Sequence, residues 1–404
     1  MRHLPFPRSL HRRSLRQALF LGLVLLAIYD VHQILQCQAA IVIEADAPPP
    51  TSERIYIASI HWNSENILRN HWNNAVVELA HALGKENVYV AVYESGSWDH
   101  SKSALRELDE KLGAFDVPRN ITLSDTTHAD ELSVTNDKKT AGWIYTSRGR
   151  KELRRIPYLS RLRNWSLEPL LELSRKGQKF DKVLFLNDVV FSTKDVLKLL
   201  NTNDGDYAAA CSLDFSKPPQ FYDTFALRDI EGHEALMPRW PYFRAKDSRQ
   251  AMLANVPTPV ASCWNGMVVM PAEPFSSGKL QFRGIPDSLA ISHLEGSECC
   301  LIHVDNPLHT MQKRTYVNPQ VRVGYDKTAY DKVHPQAIIQ STIRIFLALW
   351  ESRIRRWTTS PWVREWIVRR KVAAWASKTE EHEAGEVCLV SEMQVVAGNG
   401  WAHV

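Results

Sequence analysis

Short apolar runs alternate with longer segments of helical periodicity over much of the chain. Runs rich in β-branched and aromatic residues predict strands at residues 54–60, 87–93, 120–124 and 182–191. Apolar positions at helical spacing predict helices at residues 64–83, 98–112 and 159–176. Strands and helices that alternate in this way indicate βαβ units. The pattern therefore predicts an α/β, Rossmann-like fold on a mostly parallel sheet.

The second half of the chain is less regular. From about residue 207 it is rich in proline, glycine and aromatic residues, which suits a substrate-binding half built from loops and short strands. Residues 336–376 return to helical periodicity and contain many tryptophans and arginines. Two interpretations remain open for this segment, a helix packed on the core and a basic amphipathic face that rests on a membrane.

A basic segment followed by an apolar run opens the chain. Five arginines precede the apolar residues 18–29, and no acidic residue occurs before Asp30. This arrangement is typical of a signal sequence whose basic side stays in the cytoplasm. We predict a cytoplasmic tail at residues 1–16, a type II signal anchor at 17–36 and a stem at 37–52. The alternative is a cleaved signal peptide ending near Ala39, and either interpretation places the remainder in the lumen of the Golgi or endoplasmic reticulum.

Composition and cysteine usage agree with a secretory location. Hydrophobic residues make up 44% of the chain and charged residues 23%, as in ordinary globular proteins. The net charge of +4 is concentrated near the N-terminus, so no nucleic-acid partner is expected. Asn120 and Asn164 begin glycosylation sequons. The six cysteines fit no zinc spacing, and an oxidising lumen permits disulfides whose pairing the sequence leaves open.

Residues 182–191 are the most informative stretch, because an apolar strand ends there in Asn187 and Asp188. A carboxylate at the carboxyl end of a parallel strand points into the crevice where open α/β sheets bind ligands. Hard divalent cations take oxygen ligands and bridge nucleotide phosphates. The pattern predicts a metal and nucleotide site at Asp188, against the structural alternative of turn residues after a strand.

Two further segments are candidates for binding the phosphates of the nucleotide. Glu94, Ser95 and Gly96 lie between a predicted strand and a predicted helix, where backbone N–H groups attract anions. Helix capping is the structural alternative for this segment. Arg154 and Arg155 stand in a dense basic stretch and are predicted to contact donor phosphates, because arginine binds phosphate bidentately. A solvated charged face is the alternative there.

Other candidates follow in the second half. Trp264 and Asn265 combine an aromatic face with an amide, as in many sugar sites, although a core tryptophan beside a turn asparagine is equally compatible. A second strand ending in His303 and Asp305 is predicted to supply a further metal or phosphate ligand beside Asp188.

These motifs together resemble the fungal capsule-associated α-1,3-mannosyltransferases. The resemblance rests on segments that occur in one order between residues 54 and 330, namely 93–99, 152–158, 185–191, 222–229, 263–266, 282–287 and 298–303. It implies a GT-A nucleotide-sugar glycosyltransferase fold over residues 53–330. The helical periodicity of the segment that follows predicts a C-terminal helical extension at 331–404. It also implies GDP-mannose as donor, manganese or a similar divalent cation as cofactor, and an α-1,3 linkage to a mannose-containing glycan acceptor. Asn187-Asp188-Val189 stands where the metal element of such a family falls, and since valine cannot ligate, direct metal contact rests on Asp188.

An α-linked donor and an α-linked product imply retention of configuration. Retention requires a carboxylate nucleophile or same-face attack assisted by the leaving phosphate. Asp223, Glu295 and Glu298 are the candidate catalytic carboxylates, and the sequence does not choose among them. A non-catalytic lumenal scaffold and a nucleotidyltransferase remain alternative functions, and neither the acceptor nor the oligomeric state follows from the sequence.

Overall fold

The computed structural model describes residues 8–42, 52–133, 141–309, 313–334 and 342–404. Parts of the predicted cytoplasmic tail, the stem and the polar loop before residue 141 therefore lie outside the described residues. The strands are β1 (Ile55–His61), β2 (Val88–Glu94), β3 (Arg119–Leu123), β4 (Trp143–Tyr145), β5 (Lys151–Leu153), β6 (Lys182–Leu186), β7 (Ala209–Lys217), β8 (Gln220–Phe221), β9 (Arg228–Asp229), β10 (Thr258–Ser262), β11 (Met267–Pro271), β12 (Glu295–Gly296), β13 (Thr315–Gly324), β14 (Leu389–Val390), β15 (Gln394–Ala397) and β16 (Gly400–His403).

The helices account for most of the remaining described chain. They are α1 (Arg8–Val42), α2 (Glu65–Ile67), α3 (Asn73–Leu83), α4 (Ser101–Ala114), α5 (His128–Ser133), α6 (Arg155–Arg175), α7 (Thr193–Leu200), α8 (Lys246–Leu253), α9 (Glu273–Ser276), α10 (Asp287–Ala290), α11 (Glu298–Val304), α12 (Lys327–Val333), α13 (Thr342–Thr358) and α14 (Trp362–Thr379). A π-helical turn at Leu68–Trp72 joins α2 to α3.

A ten-stranded sheet forms the centre of the molecule, with the order β3-β2-β1-β6-β11-β7-β13-β10-β9 and β8 beside β7. Strands β1, β2, β3 and β6 are parallel, as the alternating pattern predicts. Strand β11 is inserted antiparallel between β6 and β7, and β13 runs parallel to β7. The carboxyl ends of β1, β2, β6, β7 and β13 consequently meet at one edge of the sheet. The predicted α/β, Rossmann-like fold class is confirmed.

Both faces of the sheet are covered, which explains the continuous apolar runs of its strands. In β1, Ile55 and Ile57 belong to a core shared with α3, α4 and α7. Tyr56 and Ala58 point to the opposite face and belong to a core shared with α6. All four side chains are buried, so both faces of the first half of β1 carry apolar residues, and the polar Ser59 that follows is buried with its hydroxyl bonded to the Leu186 carbonyl.

The C-terminal segment differs from the expected helical extension. After α14 the chain returns to the domain through β14, which pairs with β12, and through β15 and β16. A disulfide joins Cys300 to Cys388. Met393 and Val395 are buried in the same core as residues of α10 and α11. The strands are too short to show a period in the sequence, and their place is set by this long-range packing.

Within the described residues, one helix is long and apolar enough to cross a membrane. It covers Ser14–Gln36 inside α1 and matches the predicted anchor by length and composition. Its leucine and phenylalanine side chains are mostly exposed, as expected for a segment whose apolar surface is not covered by the rest of the chain.

Candidate active site

Asp188 lies at the carboxyl edge of the sheet, directly after β6. The backbone turns there because Asn187 N–H donates to the Gly266 carbonyl and Val189 N–H donates to the Asn187 carbonyl. The Ser64 hydroxyl, in the loop after β1, donates to Asp188 Oδ2 over 3.2 Å. Burial raises the pKa of Asp188 to about 6, although its own backbone N–H, the Ser64 hydroxyl and the charge of Arg163 all act in the opposite direction.

Asp214 and Asp223 form a second acidic group at the same edge. Asp214, on β7, is fully buried and accepts hydrogen bonds from Tyr325 Oη over 3.0 Å and from Asp223 N–H over 3.1 Å. Burial and the neighbouring Asp214 charge raise the pKa of Asp223 to about 6. The charges of Asp214, Asp188 and Asp223 all raise the pKa of Tyr325, so the three carboxyl groups share one electrostatic environment. Asp214 was not predicted from the sequence. An acidic residue inside the apolar β7 run was the signal that could have identified it.

Arg163 is the second residue that the sequence did not single out. It projects from the middle of α6, and its Nε donates to Glu298 Oε1 over 3.0 Å. Its guanidinium carbon lies 4.5 Å from the centre of the Trp264 ring, at cation–π distance. Its charge acts on both Asp188 and Asp223. One arginine of the basic stretch thus does face the acidic site, but it is not either of the two predicted.

Trp264 does not offer an open face for sugar stacking, which corrects the expectation for this residue. It is 2% exposed and packs against Phe185 and Phe282. Only its indole nitrogen reaches the site, where Nε1 donates to Asn187 Oδ1 over 3.3 Å. The ring is therefore a core residue that positions Asn187.

Asn265 is fully buried and bonds to the acidic residues, where contact with a sugar hydroxyl was expected. Its Nδ2 donates to Asp214 Oδ1 over 3.2 Å and to the Asp223 carbonyl over 3.1 Å. Its Oδ1 is buried and has no hydrogen-bond partner among the described residues. The next residue, Gly266, has φ +86°, and a Cβ there would lie 2.5 Å from Val323 Cγ2 and 3.2 Å from Asp214 Cβ. Only glycine allows the backbone just before β11 to approach β7 and β13 this closely.

Arg154 and Glu295 are brought together as a buried ion pair. Arg154 is fully buried, and its Nε and Nη2 donate to the two Glu295 carboxylate oxygens over 3.0 and 2.6 Å. Its Nη1 donates to Asp287 Oδ1 and to the Ile285 carbonyl. With this guanidinium occupied, the expected phosphate role of Arg154 and catalytic role of Glu295 are both corrected to a structural ion pair. Arg155 instead stacks on Trp401 at 4.5 Å.

The expectation that His303 and Asp305 end a strand and supply a metal or phosphate ligand is also corrected. The two residues lie at the end of a helix, α11. His303 is 1% exposed, and its Nε2 lies 2.6 Å from the Cys263 carbonyl oxygen, to which it must donate. Burial lowers the pKa of His303 to about 4. The nearby sulfurs of Cys211 and Cys263 form a disulfide and are not available as thiolate ligands. Asp305 accepts from Arg283 Nε over 2.6 Å.

The segment after β2, residues 95–96, packs against the end of β1 and against the loop at Thr126. Ser95 N–H donates to the His61 carbonyl, and a Cβ on Gly96 would lie 2.0 Å from the Thr126 carbonyl oxygen. The glycine therefore permits packing against protein backbone, where ligand approach was expected. Glu94 is fully buried, and its Oε1 accepts from Ser97 N–H while its Oε2 has no hydrogen-bond partner in the described structure. Burial raises the pKa of Glu94.

A cavity of about 860 Å³ is lined by Thr224 and Phe225, the two residues that follow Asp223 in the chain. Residues of α14 and residues between 386 and 394 also line it. Polar and charged side chains dominate this lining, among them His233, Glu365 and Arg369. The C-terminal segment thus supplies part of the wall of a cavity that reaches the residues directly after Asp223.

Comparison with known proteins identifies the family. Among solved structures, the mannosyltransferase PcManGT from Pyrobaculum calidifontis, in complex with GDP-Man and Mn²⁺, is 11% identical with a TM-score of 0.36, covering 88% of this chain and 92% of its own. TarS from S. aureus is 11% identical with a TM-score of 0.35, covering 66% of this chain and 60% of its own. No curated protein matches the chain. A family model described as cryptococcal mannosyltransferase 1 matches residues 54–305, which is more than half of the 404 residues. The chain therefore belongs to the cryptococcal mannosyltransferase 1 family.

Proposed function

We propose that this glycosyltransferase transfers mannose from GDP-mannose to a mannose-containing glycan, forming an α-1,3 linkage with the help of a divalent cation. The observation that carries the proposal is the group of Asp188, Asp214 and Asp223 beside Arg163 at the carboxyl edge of the sheet. Departure of a nucleoside diphosphate develops negative charge, which fixed cations stabilise. Membership of a mannosyltransferase family supports the sugar.

Asp188 and Asp223 carry the carboxylate oxygens that a hard divalent cation such as Mn²⁺ prefers as ligands. Asp188 is partly exposed at the strand end, and its recorded contacts are hydrogen bonds, with no ion pair in the part of the chain that the structure describes. Asp223 is partly exposed as well and shares the electrostatic environment of Asp188. Asn187 is less suited because its Oδ1 accepts from Trp264. Asp188 would hold the cation, with Asp223 beside it, and a bound cation would neutralise charge on the diphosphate.

Of the three candidate carboxylates, we propose Asp223 as the one that contacts the reacting sugar. Glu295 is committed to Arg154, and Glu298 is 2% exposed with its Oε1 bound to Arg163. Glu298 is therefore a positioning residue for Arg163. Asp223 is the partly exposed carboxylate next to the cavity, so it is our proposed contact to the reacting sugar, either as nucleophile or as the group that orients same-face attack.

Different segments are proposed to contact the donor and the acceptor. Glu94, whose Oε2 has no hydrogen-bond partner in the described structure, remains a proposed contact to the nucleotide. Arg155, which bonds to Gln394 and stacks on Trp401, remains a proposed contact to a donor phosphate. The polar cavity beside Asp223 would take the acceptor, since its 860 Å³ lies within the range of ligand sites and its charged and amide groups suit sugar hydroxyls.

The proposed location is the lumenal side of a Golgi or endoplasmic reticulum membrane. The apolar span Ser14–Gln36 supports a single-pass anchor. The Cys211–Cys263 and Cys300–Cys388 disulfides require an oxidising compartment. In both respects the chain fits a type II membrane protein whose donor is delivered to the lumen.

A donor panel with the full chain in lipid nanodiscs tests the proposal. GDP-mannose, other GDP-sugars and UDP-sugars are each incubated with a mannose oligosaccharide, with Mn²⁺ or with chelator. We expect transfer from GDP-mannose alone, loss of transfer with chelator, and recovery on addition of Mn²⁺. Transfer from a UDP-sugar, or a linkage other than α-1,3 in the product, contradicts the stated donor or linkage. Absence of transfer from every donor favours the scaffold function.

A further inference from the structure

Helices α13 and α14 carry an apolar stripe that the rest of the described chain does not cover. On α13, Ile343, Leu347, Ile354 and Trp357 recur at spacings that place them on one helix face, and Leu347 is 60% and Trp357 67% exposed. On α14, the exposed apolar side chains that do not line the cavity are Trp362, Val363 and Trp366. Soluble surfaces rarely display so many large apolar groups. This outer stripe, defined by these seven residues, points to a partner.

The opposite side of α13 packs on the proposed membrane anchor. Ile34 of α1 is buried against Ile345 and Leu349 of α13. Asp30, fully buried, accepts from Arg353 Nη1 over 2.9 Å. An acidic residue inside an apolar span is stabilised by such a partner. The contact therefore ties α13 to one level of α1.

That level coincides with the edge of a bilayer. Asp30 lies six residues before Gln36, the end of the apolar span, which corresponds to about 9 Å along a helix axis. Interfacial helices bury their apolar faces about 5–10 Å into the boundary between headgroups and acyl chains. A helix held beside Asp30 and Ile34 is thus at interfacial depth, and its tryptophans are of the residue type enriched there.

The charges around this contact suit lipid headgroups. Arg244, Arg249 and Arg356 lie close together, and their recorded hydrogen bonds go to neutral oxygens, including Arg356 Nη1 to Ser352 Oγ over 2.7 Å. Burial lowers the pKa of Arg356 to about 10, and the charges of Arg249, Arg353 and Arg244 act in the same direction. Such a concentration of positive charge attracts phosphate groups.

We infer that α13 and α14 form a membrane-resting platform whose outer stripe inserts into the lumenal leaflet of the bilayer that holds α1. The inference rests on the proposed anchoring of α1. The cavity beside Asp223 is lined in part by residues of α13 and α14, so the platform holds the acceptor cleft close to the membrane surface. This favours acceptors that are presented at the membrane.

Depth-dependent quenching by brominated lipids tests the platform in the full chain. A Cys37→Ser background receives one cysteine at a time, Leu347→Cys, Trp357→Cys, the exposed control Tyr145→Cys or the anchor control Leu23→Cys, and each is labelled with bimane. The proteins are reconstituted into phosphatidylcholine vesicles with or without brominated acyl chains. We expect loss of fluorescence at positions 23, 347 and 357, and none at 145. Thermal unfolding verifies that each labelled protein is folded.

Three results overturn the inference and are distinguishable from one another. Quenching at position 23 without quenching at 347 and 357 shows an anchored protein whose platform does not touch lipid. Absence of quenching at all four positions removes the membrane anchor and the platform together. A second copy as the occupant would appear as shielding of positions 347 and 357 that disappears on dilution into excess lipid, without any effect of bromine, and it likewise overturns the inference.

Discussion

Arg163 Nε lies 3.0 Å from Glu298 Oε1, so a residue in the middle of α6 is joined to the first turn of α11 beside the acidic site. The two residues are separated by 135 positions in the chain. The pair holds the arginine over the Trp264 ring, from where its charge reaches Asp188 and Asp223.

The Arg163–Glu298 pair is expected to position the cation needed for departure of the diphosphate. Glu298→Gln removes a charge-assisted hydrogen bond, which is worth about 1.5–3 kcal/mol, so kcat should fall about 10- to 100-fold while KM for the acceptor changes little. The control is Asp305→Asn, which weakens the comparable pair with Arg283 away from the site. Equal losses of kcat in the two variants, measured with thermal unfolding, would show a purely structural role for Glu298.

Asp188 is expected to be the main protein ligand of the cation. Asp188→Asn keeps the size of the side chain but removes its charge, and transfer should fall by at least about 100-fold with the fold intact. Asp195→Asn is a matched control because Asp195 completes the capping box of α7 a few residues later. That variant should lose about 1 kcal/mol of stability and keep its activity. Normal activity of Asp188→Asn with an unchanged response to chelator refutes the metal assignment.

Trp264 and Asn265 are expected to respond differently to substitution. Trp264→Phe keeps an aromatic ring in the core but loses the hydrogen bond to Asn187, so stability should fall more than activity. Asn265→Ala leaves buried Asp214 without one hydrogen-bond donor, which should cost about 1–3 kcal/mol of stability. Transfer should fall beyond what this loss of stability explains. Activity and unfolding are measured on both proteins. Proportionate losses in both would mean that the pair is structural only.

Asn120 is expected to carry a glycan and Asn164 none. Asn120 is exposed on the edge strand β3, whereas the Asn164 amide donates to the Phe282 carbonyl over 2.8 Å and accepts from Phe282 N–H over 2.9 Å. Asn120→Gln in a eukaryotic host should remove one glycosidase-sensitive mobility shift, and Asn164→Gln should leave it unchanged while destabilising the domain. A protein without any glycan when the sequon at 120 is intact argues against a lumenal location.

The Cys300–Cys388 disulfide is expected to hold the C-terminal strands against the domain. It spans 88 positions, and removal by Cys388→Ser should lower the free energy of unfolding by about 2–4 kcal/mol. Because the same region lines the cavity beside Asp223, acceptor KM should rise. Denaturant unfolding and acceptor titration measure the two effects. An unchanged stability would indicate that residues 386–404 are a dispensable extension.

Local patterns were sufficient for the first half of the fold. Strands β1, β2, β3 and β6 lie within a residue or two of their predicted starts, because apolar runs and helical periodicity act over neighbouring residues. The same locality placed Asp188 correctly, since a carboxylate directly after a buried strand must lie at the edge of the sheet. The apolar span of α1 was equally evident from composition.

Tertiary structure alone decided the partners of the charged residues. The residues around Arg154 in the sequence do not predict that its guanidinium faces Glu295, 141 positions away. Arg163, in the same basic stretch, faces the site instead. The antiparallel insertion of β11 and the helical state of His303 likewise depend on contacts with distant segments. A strand or an anchor is specified by the residues within it, but the role of an arginine or a carboxylate depends on which opposite charge the folded chain brings within about 3 Å.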